Sequence, residues 1–350
     1  MDLPHNKSLP IHLLAACFNN TSATYKFYWF LSILQAVELG EETIKKRHLF
    51  ARMIANAWYT INYFHISFGV QDKIQRAAEE LKNIENLKID DDREIIFQTL
   101  VSTNNTETLS LLNYFNNQVP HWFLSPWFEK MTKNQIYELS KNFENRHLYA
   151  LYDTEIVINP FWHEYLMANS KLLKDFCFWN LVIFLQVRNP NVPDIPNKII
   201  KPASRNNLNK QRKDFWDIVL NEKGIVKCIY TGKDLSIGNY AVEHFVPYNF
   251  VSHDLIWNLI PAEKSFNIYK SDRLPTMDKY FIPFFELQKA AIEIVRFKSP
   301  SNKFLEDYYS IFSDFDHFAN LSEITIREKF RDRIQPLISI AANNGFQYLT

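Results

Sequence analysis

Cysteine is scarce in this chain, and its scarcity excludes one class of architecture. The three cysteines, Cys17, Cys177 and Cys228, are far apart and odd in number. A small secreted protein stabilised by disulfides has more of them, so we predict reduced thiols in a cytoplasmic protein. Thr231 stands where the second cysteine of a zinc-binding CxxC pair would follow Cys228. The sequence therefore predicts no structural zinc and a small, buried role for Cys228.

Glycine and net charge are also low. The 350 residues include six glycines, and 39 basic residues balance 39 acidic ones. A neutral chain does not attract polyanions over its whole surface, so any contact with nucleic acid must be local. Few glycines, together with 47% hydrophobic residues, predict a mostly helical protein with a large core and two or three domains.

Hydrophobic runs long enough for a membrane are absent. Residues 11–17 form only a short apolar stretch with no basic run before it, which is a poor secretion signal. Residues 176–187 are too few to span a bilayer. We therefore predict no membrane partner and interpret residues 176–187 as part of a core helix.

The first 188 residues carry helical patterns along their length. Apolar residues at helical spacing predict helices at residues 28–37, 48–68, 72–86, 91–100, 106–114 and 134–145. We expect residues 1–188 to form a domain that is helical throughout. Its predicted role is that of a sensor, or a binder of a protein partner or of the substrate.

A boundary is expected at residues 189–213, which we interpret as a linker. Three prolines in residues 188–197 predict an extended, stiff connection. Residues 197–213 contain no acidic residue, and their basic residues are Lys198, Lys201, Arg205, Lys210, Arg212 and Lys213. Two interpretations stay open: a solvated linker, or a run that follows a nucleic-acid backbone through Lys210, Arg212 and Lys213.

Residues 242–275 are the most informative part of the chain. Glu243 and His244 are adjacent, and Asn258 and Asn267 follow at intervals of 14 and nine residues. A histidine can take the proton of an attacking water at neutral pH, as phosphodiester cleavage requires. Glu243 and Asn267 offer the oxygen ligands that a hard divalent cation prefers. Neighbours on a regular strand point to opposite faces, so how Glu243 and His244 serve one site is open.

Turn and strand signals predict the order strand, loop, strand, helix for this segment. The predicted elements are strands at residues 240–246 and 257–260 and a helix at 262–270. Pro261 suits the first turn of that helix. Lys264, Asn267 and Lys270 are three residues apart and are expected to share a face. Lys264, Lys270 and Arg273 are the predicted phosphate contacts.

At these residues the segment resembles the HNH endonuclease family, whose core is a ββα-metal fold. It is similar to the HNH domains of RNA-guided CRISPR nucleases and of bacterial HNH proteins. The matching runs are Glu243-His244-Phe245-Val246-Pro247-Tyr248-Asn249-Phe250, Asn258-Leu259 and Asn267-Ile268-Tyr269-Lys270-Ser271-Asp272-Arg273-Leu274-Pro275. The resemblance implies a metal-dependent endonuclease acting on DNA more than on RNA, with His244 as general base. It also implies Glu243 and Asn267 as ligands of Mg²⁺ or Mn²⁺, and Asn258 as a brace of the loop through backbone hydrogen bonds.

Two positions depart from the family pattern. Glu243 stands where aspartate is commoner, and Asn267 stands where the family name expects histidine, which makes this an HNN variant. Both keep an oxygen ligand, so they bear on the choice of metal more than on activity. The alternative is a nucleic-acid-binding or partner-sensing protein whose nuclease module is degenerate and inactive.

The expected fold class is mostly α, with a small ββα-metal core between helical regions. Residues 214–276 are the predicted nuclease core, and residues 277–350 are predicted to form helices that pack on it, because so small a core buries little surface alone. Pro336 is expected to kink or split the last of these helices. Residues 24–30 loosely resemble the helical part of bacterial HNH proteins, which implies a bacterial origin and a role in genome defence.

Overall fold

The computed structural model describes residues 3–200, 207–312, 315 and 317–350. The chain divides into two compact units, one combining Met1–Pro190 with Ile195–Ala203 and the other combining Asn191–Asp194 with Ser204–Thr350. The fold is mostly α with a few small sheets, as the sequence predicts. Within the described residues, no helix combines the length and apolarity needed to cross a bilayer.

The first unit is organised around one apolar helix. Its helices are α1 Ile11–Ala16, α2 Tyr25–Glu38, α3 Lys46–Asn62, α4 Lys73–Ile84, α5 Arg93–Ser102, α6 Thr106–Asn113, α7 Pro120–Phe123, α8 Lys133–Leu139, α9 Pro160–Arg188 and α10 Ile195–Ile200. Helix α2 packs against both α3 and α9. It buries side chains around almost its whole circumference, including Phe27, Trp29 and Phe30, as expected of a central helix rather than a surface one.

A three-stranded antiparallel sheet corrects the expectation that this region is helical throughout. The strands are β1 Thr43–Lys45, β2 Tyr149–Leu151 and β3 Glu155–Ile158, with β3 in the centre. Ile44 of β1 lies opposite Ile156 of β3, although the two are distant in the chain. Strands of three or four residues are too short for their alternation to stand out in the sequence, which is why the pattern does not reveal them.

The proline-rich segment is partly helical, so the prediction of an extended connection is wrong there. Helix α10 contains Pro196 in its first turn, where the missing N–H is tolerated. Ile195 and Ile199 are buried in the first unit, and the Thr60 hydroxyl donates to the carbonyl of Lys198 at 3.0 Å. Burial of these apolar residues outweighs the stiffness that three prolines suggest.

The second unit contains the segment that resembles a nuclease core. Its elements are α11 Asn209–Gln211, a π-helical turn Arg212–Trp216, α12 Asp217–Lys223, β4 Val226–Lys227, β5 Asp234–Leu235, β6 Ala241–His244, α13 Tyr248–Val251, a 3₁₀ turn Ile256–Asn258, β7 Leu259–Ala262, α14 Lys264–Lys270, α15 Met277–Lys298, 3₁₀ segments Lys303–Ser310 and Phe318–Asn320, and α16 Glu323–Asn343. Strand β4 pairs with β5, and β6 pairs with β7. Gly224 follows α12 with a φ of 69°, in the left-handed region that favours glycine after a helix.

Helix α15 supports the strand pair from behind. The Phe284 ring stacks on Phe245 with 4.0 Å between centroids. Buried Gln288 donates to the carbonyls of Ile256 and Leu259 at 3.2 and 2.7 Å and accepts from the Tyr308 hydroxyl at 2.6 Å. These bonds satisfy polar groups at the start of β7 that would otherwise be buried without partners.

Pro336 does not split α16, which continues to Asn343. Proline leaves the carbonyl four residues earlier, that of Asp332, without its helical hydrogen bond. Pro336 and Asp332 are both exposed, so water can bind that carbonyl.

Candidate active site

The strand pair and helix α14 form the scaffold of the site. In the β6–β7 register, Val242 lies opposite Pro261, Glu243 opposite Ile260 and His244 opposite Leu259. Pro261 is therefore a strand residue, and the prediction that it opens the helix is wrong. A two-stranded sheet leaves one edge of each strand free, and a proline without an N–H is tolerated there.

His244 makes a short contact with a carboxylate. Its Nε2 lies 3.0 Å from Oδ1 of Asp254, and both side chains are largely buried, at 12% and 16% exposure. The Tyr248 ring packs edge-on against the imidazole, with 5.4 Å between centroids. The carboxylate and the tyrosine fix the orientation of the ring and favour a proton on Nε2.

Asp254 is a site residue that sequence reasoning missed. It lies in the loop between α13 and the 3₁₀ turn, ten residues after His244. An acidic residue in a loop after a candidate base is too common to be informative alone. The available signal is chemical, because a histidine base generally has a carboxylate or carbonyl that orients it.

His244 and Asn267 border one cavity. Its volume is about 270 Å³, and its wall also includes Leu208, Val242, Glu243, Tyr248, Ile268 and Ser271. Asn267 is half-buried on α14, and no hydrogen bond to its side-chain amide occurs within the part of the chain that the structure describes. The amide side chain of Asn267 and the imidazole of His244 therefore lie beside the same small space.

Glu243 also lines that cavity, although alternation along β6 directs neighbouring side chains to opposite faces of the strand. It is 3% exposed, and both of its carboxylate oxygens accept hydrogen bonds. Lys270 Nζ lies 2.6 Å from Oε1, and the Tyr230 hydroxyl lies 3.1 Å from Oε2. Burial and the neighbouring carboxylate raise the pKa of Tyr230 well above its ordinary value, so the hydroxyl stays a donor.

Asn258 lies behind the site and does not line the cavity. It is fully buried, and its side chain bonds both backbone groups of Val246, accepting from N and donating to O at 2.8 Å each. Its own carbonyl accepts from the Phe245 N–H at 2.8 Å. Three bonds to the two residues that follow His244 hold the end of β6 in place.

The predicted phosphate contacts on and after α14 lie in different environments. The sequence predicts a phosphate contact for Lys270, but this side chain is fully buried against Glu243 and also donates to the His244 carbonyl at 2.9 Å. Lys264 is exposed and donates to the Gly238 carbonyl at 2.9 Å. Residues six apart on a helix differ by about 120° in direction, so Lys264 and Lys270 diverge and do not share a face. Arg273 is half-exposed and donates to the Tyr269 carbonyl at 2.7 Å.

The basic run before the core is shorter than the sequence suggests. Lys198 is buried in the first unit, and Lys201 and Arg205 lie outside the described residues. Lys210 and Lys213 are exposed, while the Arg212 guanidinium lies over the Tyr240 ring at 5.6 Å. Leu208, two residues before Lys210, lines the cavity that contains His244. The exposed part of the run therefore starts at the site.

The donor set fits a divalent cation only after one rearrangement. Glu243 and Asn267 supply the oxygen atoms that Mg²⁺ or Mn²⁺ prefers. The Lys270 ammonium, however, already neutralises that carboxylate. No group of three or more His, Cys, Asp or Glu side chains that could hold a metal ion exists in the described residues. Cys228 is buried, as predicted.

One comparison with known proteins gives a match. Residues 228–276 match the family model described as HNH endonuclease, which confirms the family resemblance seen in the sequence. The match covers the strand pair, the loop with Asp254, and α14. No curated protein and no solved structure is significantly similar to the chain.

Proposed function

Because residues 228–276 are an HNH endonuclease domain, we propose that this protein is a metal-dependent endonuclease that hydrolyses phosphodiester bonds in DNA. The observation that carries the proposal is the His244–Asp254 pair beside a cavity that Asn267 also lines. A base that a carboxylate orients, beside a cavity that an amide side chain also lines, supplies the groups that activation of a water beside a phosphodiester needs.

His244 is the proposed general base. Asp254 accepts the Nε2–H, so Nδ1 is the nitrogen left to take a proton from the attacking water. The same carboxylate stabilises the imidazolium that results. Asn258 acts as a positioning residue, because its bonds to Val246 hold the chain that follows His244.

HNH nucleases generally use divalent metal ions, and we propose Mg²⁺ or Mn²⁺ here. Glu243 and Asn267 would hold the ion, which when bound stabilises the charge that develops on the phosphate. Glu243 can do so only if Lys270 releases a carboxylate oxygen that it now holds at 2.6 Å. The proposed contacts to the nucleic-acid backbone are Lys264, Arg273 and the run from Lys210 to Lys213.

A second candidate function rests on that same ion pair. If Lys270 never leaves Glu243, the module binds nucleic acid without cutting it, as a partner-sensing protein with an inactive nuclease would. The fully buried Lys270 and the engaged carboxylate are the observations that favour this alternative.

A cleavage assay distinguishes a metal-dependent endonuclease from a protein that binds nucleic acid without cutting it. Purified protein is incubated with supercoiled plasmid, linear duplex, single-stranded DNA and RNA, in Mg²⁺, in Mn²⁺ or in chelator. We expect metal-dependent cutting of DNA that chelator stops, and a loss of about 10²–10⁴-fold in rate for His244→Ala. Asp254→Asn should reduce the rate by about 10–100-fold, because it removes the orienting charge and not the base.

His253→Ala is the matched control for these variants. His253 lies in the same loop, and its ring packs on Trp257, with 5.2 Å between centroids, instead of lining the cavity. We expect the control to cut at nearly the wild-type rate. Binding of DNA without cutting of any substrate in either metal would instead establish the second candidate function.

We further propose a cytoplasmic location and a role in bacterial genome defence. The three cysteines are free and buried, which suits a reducing compartment. The defence role rests on the resemblance of residues 24–30 alone. Phage challenge of cells that carry wild-type or His244→Ala protein tests it, and equal phage yields from the two would refute it.

A further inference from the structure

The first unit buries a lysine that has no carboxylate partner. Lys46 opens α3 and is 2% exposed. Its Nζ donates to Asn116 Oδ1 at 3.0 Å, to the Tyr137 hydroxyl at 2.6 Å and to the Asp153 carbonyl at 3.4 Å. Among the described residues, no acidic side chain lies within ion-pair distance of it. Neutral acceptors satisfy its hydrogen bonds but leave its charge without a counter-ion, which is costly in a buried place.

This lysine lies at the wall of a cavity within the first unit. The cavity has a volume of about 430 Å³, in the range of sites for small molecules. Its lining includes the apolar side chains of Phe50, Leu109 and Leu112 and the polar side chains of Ser110, Asn113 and Asn116. The space therefore offers an apolar surface, several hydrogen-bonding groups and one buried cation.

A second cation and a helix end make the same cavity electropositive. Arg47 also lines it; its Nη2 donates to the carbonyls of Leu100 and Thr103, while its buried Nε has no hydrogen-bond partner within the described residues. Helix α3 runs for 17 residues and has no acidic residue in its first turn. The positive end of its dipole therefore adds to the charges of Lys46 and Arg47, although cations are unfavourable at that end of a helix. Asp153 supplies one negative charge at the exposed rim.

We propose that this cavity binds an organic phosphate of about the size of a mononucleotide. Its phosphate would be the counter-ion that Lys46 lacks and would also accept from Arg47, since charge-assisted bonds to phosphate are the strongest that these donors make. The base or another planar group would lie against Phe50, and the ribose hydroxyls would reach Ser110 and Asn113. Inorganic phosphate alone would fill only a fraction of the cavity and leave its apolar wall uncovered.

A purely structural role explains Lys46 less well. A methionine fills a similar volume without a charge, so packing alone does not require an ammonium here. Burial lowers the pKa of Lys46 to about 8, so its surroundings disfavour the charged form. A bound anion favours the charged form of Lys46, and the ammonium then contributes to binding of the anion.

The experiment measures binding by the full chain, with chelator present so that a metal in the second unit takes no part. Calorimetric titrations use AMP, GMP, CMP, UMP, inorganic phosphate and adenosine. We expect saturable binding of at least one mononucleotide, weaker binding of inorganic phosphate and no binding of adenosine. Lys46→Met should weaken binding by at least about tenfold, the effect of losing a hydrogen bond to a charged group.

Two further variants make the result decisive. Lys45→Met removes the exposed neighbouring lysine, which does not line the cavity, and should bind as the wild type does. Ser110→Phe fills the cavity from an exposed helical position without touching Lys46, and it should abolish binding even if Lys46→Met fails to fold. The proposal is overturned if no mononucleotide binds with a Kd below about 1 mM, or if Ser110→Phe binds as tightly as the wild type.

Discussion

Lys46 in the first unit and Lys270 in the second are both buried, and the two are held in different ways. Lys270 in the second unit is paired with Glu243, and Tyr230 completes the hydrogen bonds of that carboxylate. Lys46 in the first unit is surrounded by an amide, a hydroxyl and a backbone carbonyl, all neutral. A paired ion is a finished arrangement, and removing either member leaves a buried charge. A buried ion with neutral neighbours still lacks its counter-ion.

The partner of each lysine thus points to its role. Lys270 binds the carboxylate that the proposed metal needs. Its ion pair with Glu243 therefore describes the site before the metal binds. Lys46 points instead to a missing anion at its own cavity. Both conclusions concern which charge completes a site, and both can be tested by exchanging a lysine for a methionine of similar size.

The largest effect is expected at the paired lysine. Lys270→Met or Glu243→Gln alone should lower the free energy of unfolding of the second unit by about 3–5 kcal/mol, because either change leaves the other partner uncompensated in the interior. The double variant should recover most of that loss. Urea denaturation of the four proteins, followed by tryptophan fluorescence, gives the coupling energy from a double-mutant cycle. Additive losses in the double variant would show that the two side chains are not a buried ion pair.

Sequence reasoning predicted the candidate site but not its charge pairing. Glu243, His244, Asn258 and Asn267 could be found because their spacing is local and their chemistry is specific. The partners Asp254, Lys270 and Tyr230 depend on which way side chains point once β6, β7 and α14 have packed, and spacing does not carry that information. Lys270 illustrates the limit, since a cation near a phosphate site is expected to face solvent and this one faces a carboxylate.

The fold likewise contains elements that the sequence predicts and elements that it does not. Long amphipathic segments such as α3 and α4 could be predicted because a helical face repeats over several turns. The sheet that joins Thr43–Lys45 to Glu155–Ile158 could not, because its strands are short and their partners are distant in the chain. The burial of Lys46 depends on that sheet, since the turn between β2 and β3 supplies the Asp153 carbonyl. The cavity of the first unit is therefore a product of tertiary structure.

A smaller effect, of pH, is expected at the unpaired lysine. Burial lowers the pKa of Lys46 from 10.5 to about 8, with Asp153 opposing and Lys133 adding to the shift. Between these pH values the unfolded chain binds the proton and the folded chain does not, so folding stability rises with pH through this window. The whole difference between the two pKa values corresponds to a change of about 3 kcal/mol in the free energy of unfolding. Screening by nearby solvent should reduce this change to about 1–2 kcal/mol.

Lys46→Met isolates that contribution. Wild type should gain stability relative to the variant as pH rises from 7 to 10, and Tyr137, whose pKa burial raises to about 12, stays protonated in the folded protein throughout. Denaturation of the two proteins at several pH values measures the difference. A difference that stays constant with pH would show that Lys46 has an ordinary pKa and that its charge is already compensated.

The cations Lys210, Arg212 and Lys213 beside the candidate site complete the comparison, because none of them is fully buried and phosphate is their proposed partner. Lys210 and Lys213 are exposed and Arg212 is half-buried, next to the Leu208 that lines the cavity of His244. If they bind a DNA backbone, replacing all three by glutamine should weaken binding for every sequence and lower the salt slope by about 0.9 for each phosphate that is no longer neutralised. The measurement is the affinity of His244→Ala protein for one duplex at several salt concentrations, so that nothing is cut.

A control that changes the net charge equally replaces Lys73, Lys88 and Lys223, which are exposed elsewhere on the chain, and it should leave the slope unchanged. Equal slopes for the two triple variants would show that the run is a solvated segment that does not neutralise phosphates of the bound duplex.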